Sequence, residues 1–486
     1  MKNSSDIGKK LLSVVLGALM GGFMWRCRGD GGFGSSWGLY GVGLVFMLLI
    51  YHFYGNRKGM KYELIPLGAL MLGLSVTGYA TVIEQLAGVV WSDLPYSGEI
   101  PGGLSPVYTG PYGDVYAPVD RFSGAAIIFI MAFTLIPLFS FFVTSLFSEK
   151  EYKLRHYIIA VAVFHISSLI FKATVSHLII PLINPDQVNY AALGLEAYGH
   201  SYTSPAAAYM SHFLDRSWAQ EIPFFENYYM SIEHISDELA VIVLSLYPLV
   251  ARKDKYTCFG SLLLNLLTAT TTTALTPLIS SRFNSGFFEG VEFSETFRTF
   301  ATWGIWEFGT GFFIGLFIMA FLAVTVRKAK EDNSCDMEPF IADKRINFGF
   351  NFLITVFILG VAPARAIGIR FARLLVFAGV LSDDEPLGTI LTVVLSVIFG
   401  LFMLKLMSTN MLRKSKNAFD LSPVTFAEIA LPSYLGLCFF IYFFFDTVGI
   451  LNISTDITVP VMLVTSALIA VVYIAFRILS RKSIKN

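Results

Sequence analysis

Charge is scarce in this chain. Lys, Arg, Asp and Glu make up 14% of its 486 residues, where a soluble domain of that length carries roughly a quarter. The charge that is present cancels, 35 basic against 35 acidic residues, so the basic face that nucleic acid requires is missing. Cysteine is scarcer still. Cys27, Cys258, Cys335 and Cys438 stand far apart, with no CxxC pair and no disulfide framework, and read as small residues of an apolar interior. Ten-residue strands of alternating polarity are absent, which argues against an outer-membrane barrel. So are HExxH, P-loop and GxSxG motifs at usable spacing; neither a cofactor nor a metal is expected.

What fills the chain is apolar. Hydrophobic residues reach 55%, with 45 Phe, and mean hydropathy is +0.64. Apolar stretches recur at 11–25, 37–54, 62–91, 122–147, 157–182, 235–251, 258–279, 299–326, 347–381, 388–407, 424–447 and 458–480. The expected fold is all-α: a polytopic integral membrane bundle of about twelve transmembrane helices, forming a single domain over 1–486. Lys2, Lys9 and Lys10 precede the first stretch, but bulky Phe23-Met24-Trp25-Arg26 follows it in place of a small-residue cleavage pattern. The first span is therefore expected to be retained.

Lysine tests this count. One set of alternate connections holds Arg57-Lys58-Gly59-Met60-Lys61, the basic residues of 150–155, Arg252-Lys253-Asp254-Lys255, the loop 327–345, the lysines of 405–416 and the tail Arg481-Lys482. The other set, 26–36, 92–121, 183–234, 280–298, 382–387 and 448–457, contains no lysine. The positive-inside rule then places both termini and the loop 327–345 in the cytoplasm, in an inner membrane. Two spans fit poorly. The purely apolar part of 235–251 is only about 13 residues, short of the roughly 20 a crossing needs. The stretch 347–381 is too long for one straight crossing, and Pro363 should break it.

The two long lysine-free segments, 92–121 and 183–234, are rich in aromatics; the second holds Tyr190, Tyr198, Tyr202, Tyr209, Trp218, Phe224, Phe225, Tyr228 and Tyr229. Flexible linkers are poor in aromatics. These segments are expected to form either a folded outer cap or interfacial helices with an aromatic belt.

Polar residues inside spans carry the functional expectation, because charge near hydrocarbon is costly. After Met24 comes Trp25-Arg26-Cys27-Arg28-Gly29-Asp30-Gly31-Gly32-Phe33-Gly34, which reads as a broken helix over 26–36 whose glycines permit a turn or let backbone N–H groups converge on a ligand. Arg365, Arg370 and Arg373 follow the Pro363 break on the same expected side. Guanidinium groups grip carboxylate and phosphate bidentately. Arg26, Arg28, Asp30, Arg365, Arg370 and Arg373 are thus the candidate substrate-binding residues; the alternative is separate interfacial arginines paired with lipid phosphates or with acids such as Asp30 and Asp383.

A second set, Glu84, His165, Lys172, Asp237, Glu238 and Glu307, forms the candidate polar interior, one of whose acids could carry a coupling proton. His165, Ser168, Lys172 and Ser176 lie on one helix face, and Lys172 is expected to face inward and pair with an acid. Asn265, Thr268, Thr272 and Thr276 form another stripe, which reads as glue between helices. Glu233-His234-x-x-Asp237-Glu238 is too weak a pattern for a metal site. Finally, Trp306-Glu307-Phe308-Gly309-Thr310-Gly311-Phe312 echoes the Trp25 segment, either by chance or as the trace of an inverted repeat.

The expected function is a secondary transporter for a polar, anionic small solute. The alternative is a membrane-embedded transferase with an outward active site and a lipid-linked or phosphate-containing donor, Asp30 acting as base or metal ligand. Partners are membrane lipid and a small solute.

Overall fold

The structure is a computed structural model. It describes residues 2–30, 35–55, 64–75, 108–109, 115–116, 132–183, 185–213, 215–222, 224–280, 304–326 and 385–412, with short pieces between 346 and 383 and positions 129, 467, 468 and 471. Among these, structure is almost wholly helical; strand is confined to an antiparallel pair, Tyr108–Thr109 with Val115–Tyr116. Five helical stretches are long and apolar enough to cross a membrane: Ile7–Arg26, Leu154–Lys172, Phe225–Arg252, Lys255–Leu275 and Glu307–Thr325. Shorter apolar helices cover Gly38–Tyr54, Leu64–Ser75, Pro137–Phe147 and Pro386–Leu401. The expected span 424–447, nearly all of 458–480, most of 347–381 and the second half of 62–91 lie outside the described residues.

The chain divides into two compact units, one made of Met1–Leu74, Ser145–Leu154 and Glu307–Asn486, the other of Ser75–Thr144 and Arg155–Trp306. In the first, α1 (Lys2–Asp30) packs on α2 (Ser35–Tyr54), and α3 is Leu64–Ser75. Ser13 donates to Lys10 O, which leaves the Tyr54 hydroxyl to donate to Ser13 Oγ across 2.8 Å.

The second unit starts with Ser75, whose hydroxyl accepts from Leu138 N and Phe139 N (3.1 Å each). That satisfies two first-turn donors of α4 (Pro137–Phe147), groups that every helix start leaves open. Then come α5 (Leu154–Lys172), four short helices α6 (Ser176–Ile183), α7 (Pro185–Ala197), α8 (Pro205–Ser211) and α9 (Arg216–Gln220), and two long ones, α10 (Phe225–Arg252) and α11 (Lys255–Ser280). Lys253 takes the left-handed conformation (φ 54°) that ends α10. Asp254 then caps α11, accepting from Thr257 N and Thr257 Oγ1 at 3.1 and 2.7 Å.

The segment expected as a cap or belt, 183–234, covers α7–α9 and the start of α10 and begins at the last residue of α6. Four of its aromatics turn inward: Tyr209, Phe225, Tyr228 and Tyr229 form one buried cluster with Ile180, Leu195 and Ile222. Ser204 caps α8 and Asp215 caps α9. Hydrogen bonds from the Ser217 hydroxyl and Trp218 N hold the Asp215 carboxyl below the usual carboxylate range. Burial pushes the Tyr209 hydroxyl up.

The chain resumes with α12 (Gly304–Thr325) and α13 (Glu385–Leu412). From Glu307 onward α12 belongs to the first unit. There it meets α1 through glycines on both sides. A Cβ on Gly21 would strike Gly311 O, one on Gly311 would strike Gly21 O and Trp25 Cβ, and Gly17 and Gly315 oppose each other in the same way. The order is antiparallel. Two small-xxx-small faces thus bring the backbones into contact, the way helices associate where lipid supplies no hydrophobic drive.

The surface is inverted relative to that of a soluble protein. On α5, Ile158, Ile166 and Ile170 are 59%, 56% and 55% exposed, while Ser168 and Lys172 are buried. Ile390, Val393 and Ile398 of α13 are likewise exposed. Apolar outside and polar inside is costly in water and expected in hydrocarbon.

Candidate functional site

Among the described residues, each unit holds a buried ionic cluster. In the first, α1 continues helical through Arg26, Arg28 and Asp30, and α2 begins at Ser35. The break expected over 26–36 is therefore absent from 26–30 and from 35–36, the arginines ride on a helix rather than a loop, and 31–34 lie outside the described residues. Helix-compatible Trp, Arg and Cys continue the i→i−4 ladder, which apolar surroundings favour over an open backbone. Arg28 Nη2 donates to Glu307 Oε1 at 2.9 Å, and Arg26 Nη1 lies 3.6 Å from Glu307 Oε2. All three side chains are at least nine-tenths buried. The Arg28 guanidinium also sits 5.3 Å from the Trp25 ring centroid, a cation–π contact.

Trp25 and Thr310 are buried too, and Trp25 Nε1 and Thr310 Oγ1 hydrogen-bond nothing among the described residues. Neither was among the candidate site residues read from the sequence, although Thr310 follows Glu307 by three residues on one face of α12 and Trp25 opens the arginine motif.

In the second unit the polar stripe of α5 finds its partner on α10. Lys172 Nζ donates to Glu233 Oε1 at 3.2 Å, and Ser168 donates to Asp237 Oδ1. The two pairs are spaced four residues apart on each helix in opposite order, as antiparallel neighbours require. Ser236 donates to Ile232 O, which leaves the Ser176 hydroxyl to donate to Ser236 Oγ across 2.7 Å. His177 Nδ1 and the Tyr228 hydroxyl are 3.0 Å apart. Gln187 Nε2 reaches Asn227 O and Ser231 Oγ at 2.9 and 2.8 Å.

Lys172 closes α5 instead of sitting deep in an unbroken span, since 173–175 form a turn before α6. His165 and Glu238 are half-buried on α5 and α10. His234 is buried, but it and Asp237 join no group of three or more His, Cys, Asp or Glu able to hold a metal among the described residues. In the α11 stripe, Asn265 donates to Ser140 of α4 at 3.0 Å, a bond between helices, whereas Thr268 donates to Leu264 O of its own helix.

Arg365, Arg370, Arg373 and Glu84 lie outside the described residues, as does the side chain of Asp30. Of the sequence candidates, the structure brings together Arg26, Arg28 and Glu307 in one cluster and Lys172 and Asp237 in the other. Chemically, the first cluster presents two guanidinium groups holding a carboxylate. The second is a ladder of neutral and charged hydrogen bonds between helices. Comparison with protein-family models, with curated proteins and with solved structures finds no match to this chain.

Proposed function

We propose that this chain is an inner-membrane secondary transporter for a polar, anionic small solute, with about twelve spans and both termini cytoplasmic. The observation that carries the reading is the convergence of Arg26 and Arg28 on one carboxylate inside apolar packing. Two guanidinium groups gathered this way already serve an oxyanion. Arg365, Arg370 and Arg373 are proposed to extend the same anion site, and Asp30 to border it. The Lys172 ladder is the structural core of the second unit, and one intramembrane acid carries a coupling proton. Lysine segregation supports the topology.

Uptake of radiolabelled acetate, lactate, succinate and inorganic phosphate into sealed proteoliposomes tests the reading. At least one probe should enter, and Arg28→Lys should slow its entry by about tenfold, because lysine keeps the charge but not the fork. Binding without entry would overturn transport in favour of a membrane-embedded transferase.

Topology has its own test. Cysteines placed at 105 and 205 should react with an impermeant maleimide from outside, while those at 58 and 253 and native Cys335 should not. Labelling of Cys335 in intact cells would reverse the assignment.

A further inference from the structure

Two polar groups beside the first cluster hydrogen-bond nothing. Trp25 Nε1 and Thr310 Oγ1 are fully buried and lack a partner among the described residues. Native interiors rarely leave such groups open, because each has lost its water without replacing it. For Thr310 the departure is specific. Thr325 of the same helix, Thr268, Thr270 and Thr273 of α11 and Thr392 of α13 all return their hydroxyls to the carbonyl four residues back. That is the usual course for threonine in an apolar helix. Thr310 does not bond Trp306 O, which stands four residues before it in α12. Trp25 has less choice, since an indole N–H can only donate.

Both groups flank the Arg28–Glu307 contact. The Arg28 guanidinium sits over the Trp25 ring, 5.3 Å from its centroid. Thr310 follows Glu307 on one face of α12, and a Cβ on its neighbour Gly311 would strike Trp25 Cβ. Trp25 precedes Arg28 by three residues, as Glu307 precedes Thr310, and three residues of helix rise about 4.5 Å. The open groups thus stand about one turn from the ion pair. We propose that Trp25 and Thr310 read a second oxygen on the substrate: the anion bound at Arg26 and Arg28 is a short hydroxy or keto acid, whose hydroxyl or carbonyl oxygen hydrogen-bonds to Trp25 Nε1 and Thr310 Oγ1.

Charge sets the class of ligand. An indole N–H and a hydroxyl are neutral, so they suit a neutral oxygen rather than a second anionic group. A carboxylate brings one charge into this apolar packing, whereas a phosphate monoester brings nearly two; the group on the arginines is therefore the carboxylate. Each guanidinium carries five N–H donors, so the substrate need not displace Glu307. A simple fatty acid leaves Trp25 and Thr310 as they are. An acid with an oxygen near its carboxylate gives them a partner, and the one-turn spacing excludes a hydroxyl at the far end of a long chain. Sites built around such a hydrogen bond reject the analogue that lacks it, because binding the analogue strands the buried polar groups.

The inference rests on the anion-transport reading, and a binding assay separates the two. Radiolabelled lactate, pyruvate, propionate and inorganic phosphate are equilibrated with the purified full chain in nanodiscs. Propionate matches lactate in charge and nearly in size but has no hydroxyl. Wild type should bind lactate or pyruvate at least about tenfold tighter than propionate. Trp25→Phe and Thr310→Val nearly keep the shape and remove one polar group each. Each should weaken the preferred acid toward the propionate value and leave propionate itself unchanged, whereas a packing defect would weaken both acids alike. Equal binding of all three acids by wild type, or tighter binding of phosphate, overturns the inference while leaving an anion site. So does a preference that survives both substitutions. If one variant does not fold, the other and the wild-type ratio decide. No binding of any probe overturns the anion site itself, and the inference with it.

Discussion

Replacing Lys172 by Met is expected to destabilise the protein by about 3–5 kcal/mol, the range for removing one partner of a buried ion pair. The side chains of Lys172 and Glu233 are only 10% and 16% exposed, and their N–O distance is 3.2 Å. Solvent therefore screens the pair little. Methionine leaves Glu233 buried opposite nothing, with Asp237 one turn away. The loss is the cost of that stranded carboxylate more than the value of the bond. The double variant Lys172→Met/Glu233→Met should accordingly recover most of the stability, since apolar residues of similar volume replace buried ion pairs at little cost. Thermal unfolding in detergent, read for wild type, both single variants and the double, closes the cycle. A Lys172→Met chain that unfolds at the wild-type temperature would show that the pair contributes nothing.

The α5 stripe was legible because lipid makes polarity conspicuous. Where the outward positions beyond the first turn are Ile and Leu, three polar residues at helical spacing must face protein. The partner was not legible. Glu233, Asp237 and Glu238 lie within two turns of one another, and only the phase of α10 against α5 selects Glu233 for Lys172 and Asp237 for Ser168. Composition was misleading at the start of α10. The apolar part of the span begins near Leu239, yet the helix begins at Phe225. Its first half is covered by α6–α9 and needs aromatics and small polar groups rather than aliphatic residues.

The Trp25 and Trp306 segments look alike for a reason that sequence self-comparison cannot supply. They are two sides of one crossing. Glycines are needed on both helices for contact, and charges of opposite sign are needed beyond them for the ion pair. The resemblance thus has a packing cause whether or not the segments share an origin. The glycines after Arg28, in contrast, suggested a break starting at 26, whereas the helix runs on to Asp30. An intrahelical bond has no competing partner in hydrocarbon, so glycine weakens a helix less there.

That crossing predicts its own failure. In Gly311→Ala the new methyl group meets Gly21 O and Trp25 Cβ. Neither can turn aside, since one is backbone and the other is the root of a fully buried indole. The helices must separate, and overpacking of this kind costs about 1–3 kcal/mol. The displacement falls one turn from Glu307 on α12 and at Trp25 on α1, three residues before Arg28. An ion pair at 2.9 Å cannot survive a shift of about 1 Å with its geometry intact. Gly311→Ala should therefore unfold at lower temperature and bind the carboxylate that wild type binds at least about tenfold more weakly. Gly8→Ala is the control. It lies on the same α1, meets nothing within 4 Å, and exchanges a poor helix former for the best, a gain of about 0.5–1 kcal/mol. A methyl group that weakens binding at 311 but not at 8 ties the anion site to the crossing. Equal behaviour of the two variants would detach it.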